Sequence, residues 1–200
     1  VDLTNKGWAV FGPRGSGKSW FLKHVLDSTP DHWLYDPLHE HKGYRAYLPD
    51  DSESIPELEE FMQLMVIPKN GRVAGVTASG KPSPALFVID EANRYVKPKP
   101  APLPKAVGQM VDFCRHFEIS FGVVARRPVQ FHTDLIELAD AVFFYQLDGV
   151  NNHKYLQDLK AGLGDQVREL PKHHFISLIG GVVQVHAPVL EPVHASHTKT

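Results

Sequence analysis

The stretch that most constrains this chain is Gly12-Pro13-Arg14-Gly15-Ser16-Gly17-Lys18-Ser19, which fits G-x-x-x-x-G-K-[ST] without a mismatch. Three glycines let the backbone turn tightly around an anion and aim its N–H groups inward, while the helix that follows presents the positive end of its dipole. Lys18 is expected to reach the β- and γ-phosphates of a nucleoside triphosphate, and Ser19 to offer its hydroxyl to a magnesium ion. Trp8-Ala9-Val10-Phe11 before the loop is a short apolar run of strand type, and residues 20–26 after it carry apolar side chains at helical spacing. Trp20, adjoining the loop, is grouped with residues 12–19 as nucleotide-binding. A random chain of this length matches the pattern on the order of once per hundred. The strand and helix flanks lower that further.

The 200 residues, 42% of them apolar, suffice for one large core, so one α/β domain over residues 1–187 with a flexible tail over 188–200 is expected. A formal charge of -2 excludes a polycation that coats nucleic acid or anionic lipid unaided, and any nucleic-acid contact must come from local patches. Cys114 is the only cysteine; it excludes an internal disulfide framework, fits a reducing compartment and reads as a small buried apolar residue. No segment has the form of a secretory leader, and no apolar run reaches the roughly 18 residues of a membrane span. A soluble intracellular protein is expected.

Residues 32–36 form a second strand that ends at Pro37 and sets Asp36 at its carboxyl end. His39, Glu40, His41 and Lys42 fall in a polar loop; His and Glu at mixed spacing resemble metal ligands, but no second cluster in the sequence completes a site. Residues 55–67 have a helical apolar period. Residues 68–84, rich in Gly, Pro and Ser and carrying Lys69, Arg72 and Lys81, are expected to form a loop or small hairpin. Residues 85–91, Ala-Leu-Phe-Val-Ile-Asp-Glu, read as a strand buried on both faces that ends in two carboxylates. Asp90 at such a strand end polarises a water of the magnesium shell, and so joins Ser19 as a metal-site residue. Glu91 can orient and partly deprotonate the attacking water.

Residues 97–105 hold four prolines and three lysines, a stiff basic loop. It reads either as a solvated linker or as a phosphate contact for threaded nucleic acid through Lys97, Lys99 and Lys105. Residues 106–117 read as a helix and 119–125 as a buried strand ended by Arg126-Arg127-Pro128. Ligands bind at the carboxyl ends of strands in open α/β sheets, so Arg126 and Arg127 are candidate sensors of the γ-phosphate. A short helix over 134–139, a fifth strand over 141–146 and a helix pair over 151–170 follow. Residues 173–178 and 182–186 then flank Gly180-Gly181 as an antiparallel hairpin. His186, His194 and His197 read as part of a solvated tail rather than as metal ligands.

Together these residues resemble the HerA–FtsK superfamily of P-loop motors, and most of all the small genome-packaging ATPases of membrane-containing icosahedral viruses, over roughly residues 7–186. Besides the phosphate loop and Asp90-Glu91, the similar segments are Tyr35-Asp36-Pro37-Leu38-His39-Glu40, Arg115-His116 and Val123-Val124-Ala125-Arg126-Arg127-Pro128. In that family the last of these segments usually ends in Thr-Gln-Arg-Pro, with the glutamine acting as γ-phosphate sensor. Arg126 stands at its place here, and Arg127 keeps the family's arginine. The resemblance implies that Arg115 is an arginine finger acting in a neighbouring subunit's site. It also implies the fold: a P-loop NTPase three-layer α/β sandwich of ASCE type. Strands 8–11, 32–36, 85–89, 119–125 and 141–146 would form a mainly parallel sheet in the order 5-1-4-3-2, with the hairpin extending one edge.

The function so implied is an ATPase using ATP and Mg2+ that assembles as a ring, a hexamer or pentamer, and moves double-stranded DNA into a procapsid. Its partners would be capsid vertex proteins in the host cytoplasm and DNA held through Lys69, Arg72, Lys81, Lys97, Lys99 and Lys105. Few residues precede Gly12 or follow residue 187, so a bare motor domain is expected. Three alternatives stand beside it. A related motor for DNA transfer, secretion or filamentous-phage extrusion usually carries a membrane span; a nucleotide-dependent switch or scaffold has no need of Asp90 and Glu91; a small-molecule kinase is disfavoured by Glu91 and by the lack of an arginine-rich lid.

Overall fold

Alternation along one strand sets the layers of the molecule, described here from a computed structural model over residues 2–69, 75–76 and 82–190. β1 (Gly7–Phe11) sends Trp8 and Val10 to one face and Ala9 and Phe11 to the other, and all four are buried. A strand with both faces dry must lie inside a sheet that is covered on both sides. α1 (Lys18–Ser28) covers the Trp8 face, inserting Phe21, Leu22, Val25 and Leu26 among Val10, Leu34, Val88 and Phe143. The Phe11 face is covered from the other side by the helices described next, which completes a three-layer sandwich.

Along the chain, β2 (His32–Tyr35) and the two-residue β3 (Ala46–Tyr47) lead to α2 (Ile55–Met65), whose amino end is capped by the Ser54 hydroxyl accepting from the Glu57 N–H. β4 (Gly75–Val76) and β5 (Pro82–Ser83) form a small antiparallel pair, as the composition of that stretch suggested. β6 (Leu86–Ile89), α3 (Lys105–Phe117), β7 (Ser120–Ala125), α4 (Thr133–Glu137) and β8 (Ala141–Tyr145) follow. α5 (Val150–Leu159), α6 (Leu163–Arg168) and the hairpin of β9 (Phe175–Ile179) and β10 (Val182–His186) complete the described chain. α2, α3, α5 and α6 supply Leu58, Met62, Val107, Met110, Leu156 and Val167 to the core on the Phe11 face. Cys114 is free and buried there, as its solitary occurrence suggested.

The eight-stranded sheet has the order β10-β9-β8-β1-β7-β6-β2-β3. Its five central strands are parallel and follow the expected 5-1-4-3-2 order. The antiparallel hairpin extends the β8 edge. β3 was not anticipated, because two residues with intermediate burial carry no readable apolar run. No helix among the described residues is long and apolar enough to cross a membrane. Arg72, Lys81 and the tail from residue 191, with His194 and His197, lie outside the described residues.

One close approach fixes the centre of the sheet. Trp8 is paired with Gly122 on β7, and a Cβ added at Gly122 would sit 2.1 Å from Trp8 Cζ2. The indole therefore lies flat on the neighbouring backbone where any side chain would stand. Gly122→Ala is expected to destabilise the fold by roughly 3 kcal/mol, with Trp8→Leu in the same chain recovering part of the loss. Urea denaturation of the two single variants and the double variant checks this.

Candidate nucleotide-binding site

Parallel strands all end on the same side of a sheet. The segments after β1, β2, β6 and β7, which begin at Gly12, Asp36, Asp90 and Arg126, therefore converge without any long excursion of the chain. β7 lies between β1 and β6, so Arg126 falls between the phosphate loop and the acidic pair.

The loop itself is shaped by its glycines. Gly15 and Gly17 have φ of +75° and +115°, and a Cβ at Gly12 would come within 2.6 Å of Ser16 Oγ and 2.7 Å of Tyr145 Cβ. Tyr145 at the end of β8 braces the turn by donating its hydroxyl to the Gly17 carbonyl at 3.2 Å. Ser16 Oγ is buried without a hydrogen-bond partner, and the Lys18 and Ser19 N–H groups that open α1 have no intrahelical acceptor by geometry, while the Trp20 N–H donates to the Gly17 carbonyl. Lys18 Nζ donates to the Pro13 carbonyl at 3.0 Å. Burial depresses the Lys18 pKa, against the opposing pull of Glu91 and Asp90. Orphan donors, a cradle that only glycine can line and one ammonium group are what a phosphate chain requires, so these residues fit a nucleoside triphosphate. Ser19 is exposed at the mouth of the loop and Asp90 stands at the end of β6, a hard-oxygen pair that fits a magnesium ion keeping several waters.

Asp90 is held from two directions. Its Oδ1 accepts the Glu91 N–H at 2.8 Å, and its Oδ2 accepts from His41 Nε2 at 2.7 Å. His41 is in turn fixed by its own N–H, which donates to Asp36 Oδ2 at 2.8 Å. Asp36 and His41 are buried and the Asp90 side chain nearly so, and their ligand atoms lie within 4.8 Å of one another. Burial opposes a charge on His41, but the Asp90 hydrogen bond and the charges of Asp90 and Asp36 outweigh it, and the net effect raises the pKa. The second cluster that the His39–Lys42 loop lacked in sequence thus exists in space, supplied by the ends of β2 and β6. Spacing along the chain carries no trace of a contact between residues 49 apart.

Glu91 has φ 45° and ψ 39°, a left-handed conformation rare outside glycine, and it turns its carboxylate toward β7. There Arg126 Nε donates to Oε2 at 3.0 Å and Nη2 to Oε1 at 3.2 Å, a two-pronged ion pair. The residue expected to direct water and the residue expected to sense the γ-phosphate are joined to each other. Arg127 is exposed at the end of β7, and its side chain makes no hydrogen bond or ion pair among the described residues.

Other expected site residues lie elsewhere. Arg115, on α3, pairs with Asp140, which accepts the Gly7 N–H at the start of β1; this is the end of the sheet opposite the phosphate loop. Lys99 is paired with Asp134 at 2.6 Å, so the proline-rich loop is tied to α4 rather than presenting all its lysines freely. Lys97 donates to the Asn93 carbonyl at 3.3 Å, while Lys69 and Lys105 are exposed. His186 is not part of a solvated tail: it lies in β10, 2.8 Å from Ser177 Oγ, and stacks on Phe175 with ring centroids 4.8 Å apart.

In fold, the chain is similar to the genome-packaging NTPase B204 of Sulfolobus turreted icosahedral virus 2, solved in complex with ATP-γS. The TM-score is 0.74 at 17% identity, over 93% of this chain and 98% of that one. The DNA-packaging ATPase B204 of Sulfolobus Turreted Icosahedral Virus gives a TM-score of 0.73 at 15% identity, over 94% of this chain and 100% of that one. The cytoplasmic domain of the type VII secretion ATPase EccC of Thermomonospora curvata gives 0.55 at 12% identity, over 94% of this chain and 24% of that one. No protein-family model and no curated protein matches the sequence. At these identities the likeness shows the fold, and that fold is the P-loop NTPase sandwich.

The buried His41 pair yields a stability prediction with a sign. Because folding raises the His41 pKa, the stability contributed by its charge is fully present below the unfolded value and is lost as pH rises through the folded value. His41→Ala is expected to cost about 2 kcal/mol at about pH 6, where Asp90 Oδ2 loses its donor in a largely buried setting, and less at about pH 9. Unfolding free energies of both proteins at the two pH values check this.

Proposed function

We propose that this protein is an ATP-hydrolysing motor that moves double-stranded DNA into a viral procapsid as a ring of identical subunits. The observation that carries the reading is the convergence of the phosphate loop, Asp90 and the Glu91–Arg126 pair at one end of the parallel strands. The packaging ATPases that share the fold support it.

Each residue has a task in that reading. The N–H groups of Gly15, Gly17, Lys18 and Ser19 and the Lys18 ammonium hold the phosphates. Ser19 and Asp90 would hold a magnesium ion, which would supply positive charge to neutralise the phosphates. Glu91 accepts a proton from the water that attacks the γ-phosphorus, as its place beside Asp90 allows. Arg126 and Arg127 stand where they can stabilise charge on the transferred group. Arg115, exposed at the far end of the sheet, serves the loop of a neighbouring subunit in a closed pentamer or hexamer, exchanging its Asp140 contact for that site. Lys69, Lys97 and Lys105 are the described candidates for DNA, with Lys99 secondary because of its ion pair. Contacts of this kind read the backbone rather than base sequence. Such a ring works at the procapsid vertex, in the host cytoplasm, against capsid vertex proteins.

The test is ATP hydrolysis by the purified protein with and without linear double-stranded DNA. Turnover is expected to rise with DNA and the stimulation to fall steeply with salt. Glu91→Gln is expected to lower turnover by about 100-fold or more while nucleotide still binds, and Lys18→Ala to lose nucleotide binding. Turnover indifferent to DNA would overturn the DNA motor, and normal hydrolysis by Glu91→Gln would overturn the role given to Glu91.

A further inference from the structure

Trp20 leaves 42% of its surface exposed in the first turn of α1, directly after Ser19, while its neighbour Phe21 is buried in the core. The Trp20 ring stands at the mouth of the phosphate loop, within reach of whatever that loop holds. Its indole lies nearly parallel to the His173 ring, with centroids 6.4 Å apart and planes inclined by 16°. His173 arrives from the segment between α6 and β9. Its Nδ1 donates to the Ser16 carbonyl at 3.1 Å, which ties that segment to the phosphate loop, and its own backbone is left-handed at φ +65°.

The topology decides which end of a bound nucleotide meets these rings. Asp90, Glu91 and Arg126 follow β6 and β7 and fix the γ-phosphate end on that side of β1. β8 and β9 lie on the other side of β1, and Tyr145 at the end of β8 is paired with Phe175 at the start of β9. The 169–174 segment is therefore at the same end of the sheet as the phosphate loop, but across it from the acidic pair. A triphosphate laid over the amino end of α1 with its γ end toward Glu91 directs its nucleoside toward Trp20 and His173.

We propose that Trp20 and His173 form the platform on which the nucleobase stacks, and that the platform favours a purine, whose two-ring face covers more of it than a pyrimidine does. This rests on the reading of residues 12–19 as a triphosphate site. No motif marks such a platform, because its two rings come from opposite ends of the chain.

The test measures binding by calorimetry, in magnesium, of AMPPNP and of tripolyphosphate, which carries the phosphates without a base. In Trp20→Ala and in His173→Ala, affinity for AMPPNP is expected to fall on the order of tenfold while that for tripolyphosphate changes by less than about twofold. His173→Phe keeps a ring and loses the Ser16 contact, so it is expected to recover most of the AMPPNP affinity lost in His173→Ala. Wild-type protein is expected to bind ADP more tightly than CDP. Alanine variants that bind AMPPNP as wild type does, including any that only change their oligomeric state, overturn the platform. So do alanine variants that lose both ligands equally, which would make the rings a brace for the loop. Failure of wild-type protein to bind tripolyphosphate overturns the phosphate-site reading, and the platform with it.

Discussion

The parallel pairing of β1 with β7 on one side and β8 on the other is the constraint on which the site depends. Gly12 continues the ladder by donating its N–H to the Ala125 carbonyl at 3.3 Å, so the phosphate loop begins at a height fixed by β7. Arg126 is the next residue of that strand, and Tyr145 at the end of β8 fills the space beneath Gly12 and Gly17. A slip of one residue between β1 and either neighbour would reverse the faces of Trp8 and Phe11 and carry the loop away from both braces. The indole of Trp8 lying on Gly122 resists such a slip, since other registers oppose it to residues with side chains. Core packing and site geometry are here the same contact.

The site's charges are disposed on one another. Lys18 rests on the Pro13 carbonyl, Arg126 on Glu91, and His41 on Asp90. Each pairing satisfies a buried or half-buried polar group, and an orphan in its place would cost about 1–3 kcal/mol. A triphosphate offers several anionic oxygens to the same donors, and charge-assisted bonds to phosphate are stronger than the lysine's bond to a neutral carbonyl. Lys18 therefore loses little in changing partners. On the proposed reading Arg126 would give up a carboxylate for a phosphate, a more nearly balanced exchange, and Glu91 would be free to reach water only after that exchange. The order of events on the proposed reading follows: phosphate binding first, release of Glu91 second.

Strand positions, helix placement and the phosphate loop were legible in the sequence because each rests on a local signal, whereas the strand order came only from the family resemblance. Residues 85–89 and 119–125 announce buried strands by unbroken apolar runs, and Gly12 to Ser19 carries its chemistry in adjacent positions. β3 was not legible, since its two residues are held by the neighbouring β2 backbone rather than by any pattern of their own. His41 was seen but left without a role. Its partners Asp36 and Asp90 come from two different strand ends, and only the sheet brings them within a few ångströms. The proline-rich loop was read as a row of exposed lysines because its composition is visible and the acid that pairs with Lys99, Asp134, belongs to another helix. Composition shows the charge a segment carries; the fold determines how much of that charge faces solvent.

Arg126 is where this chain departs from the family it resembles, and the structure gives the departure a physical sense. A glutamine at the end of β7 could offer one neutral N–H bond to Glu91 or to a phosphate, and would leave the carboxylate charge uncompensated. The guanidinium instead neutralises Glu91 with two aligned bonds while that carboxylate is largely shielded from water. Unpaired, a carboxylate in that position would repel the incoming triphosphate, beside a second acid, Asp90, only one residue away. Paired, the site presents the lysine and the loop amides with both acids engaged, Glu91 by the Arg126 guanidinium and Asp90 by its hydrogen bond with His41. Two basic side chains from separate loops thus hold the two carboxylates that the proposed chemistry needs, Arg126 from the end of β7 and His41 anchored by its own N–H to Asp36.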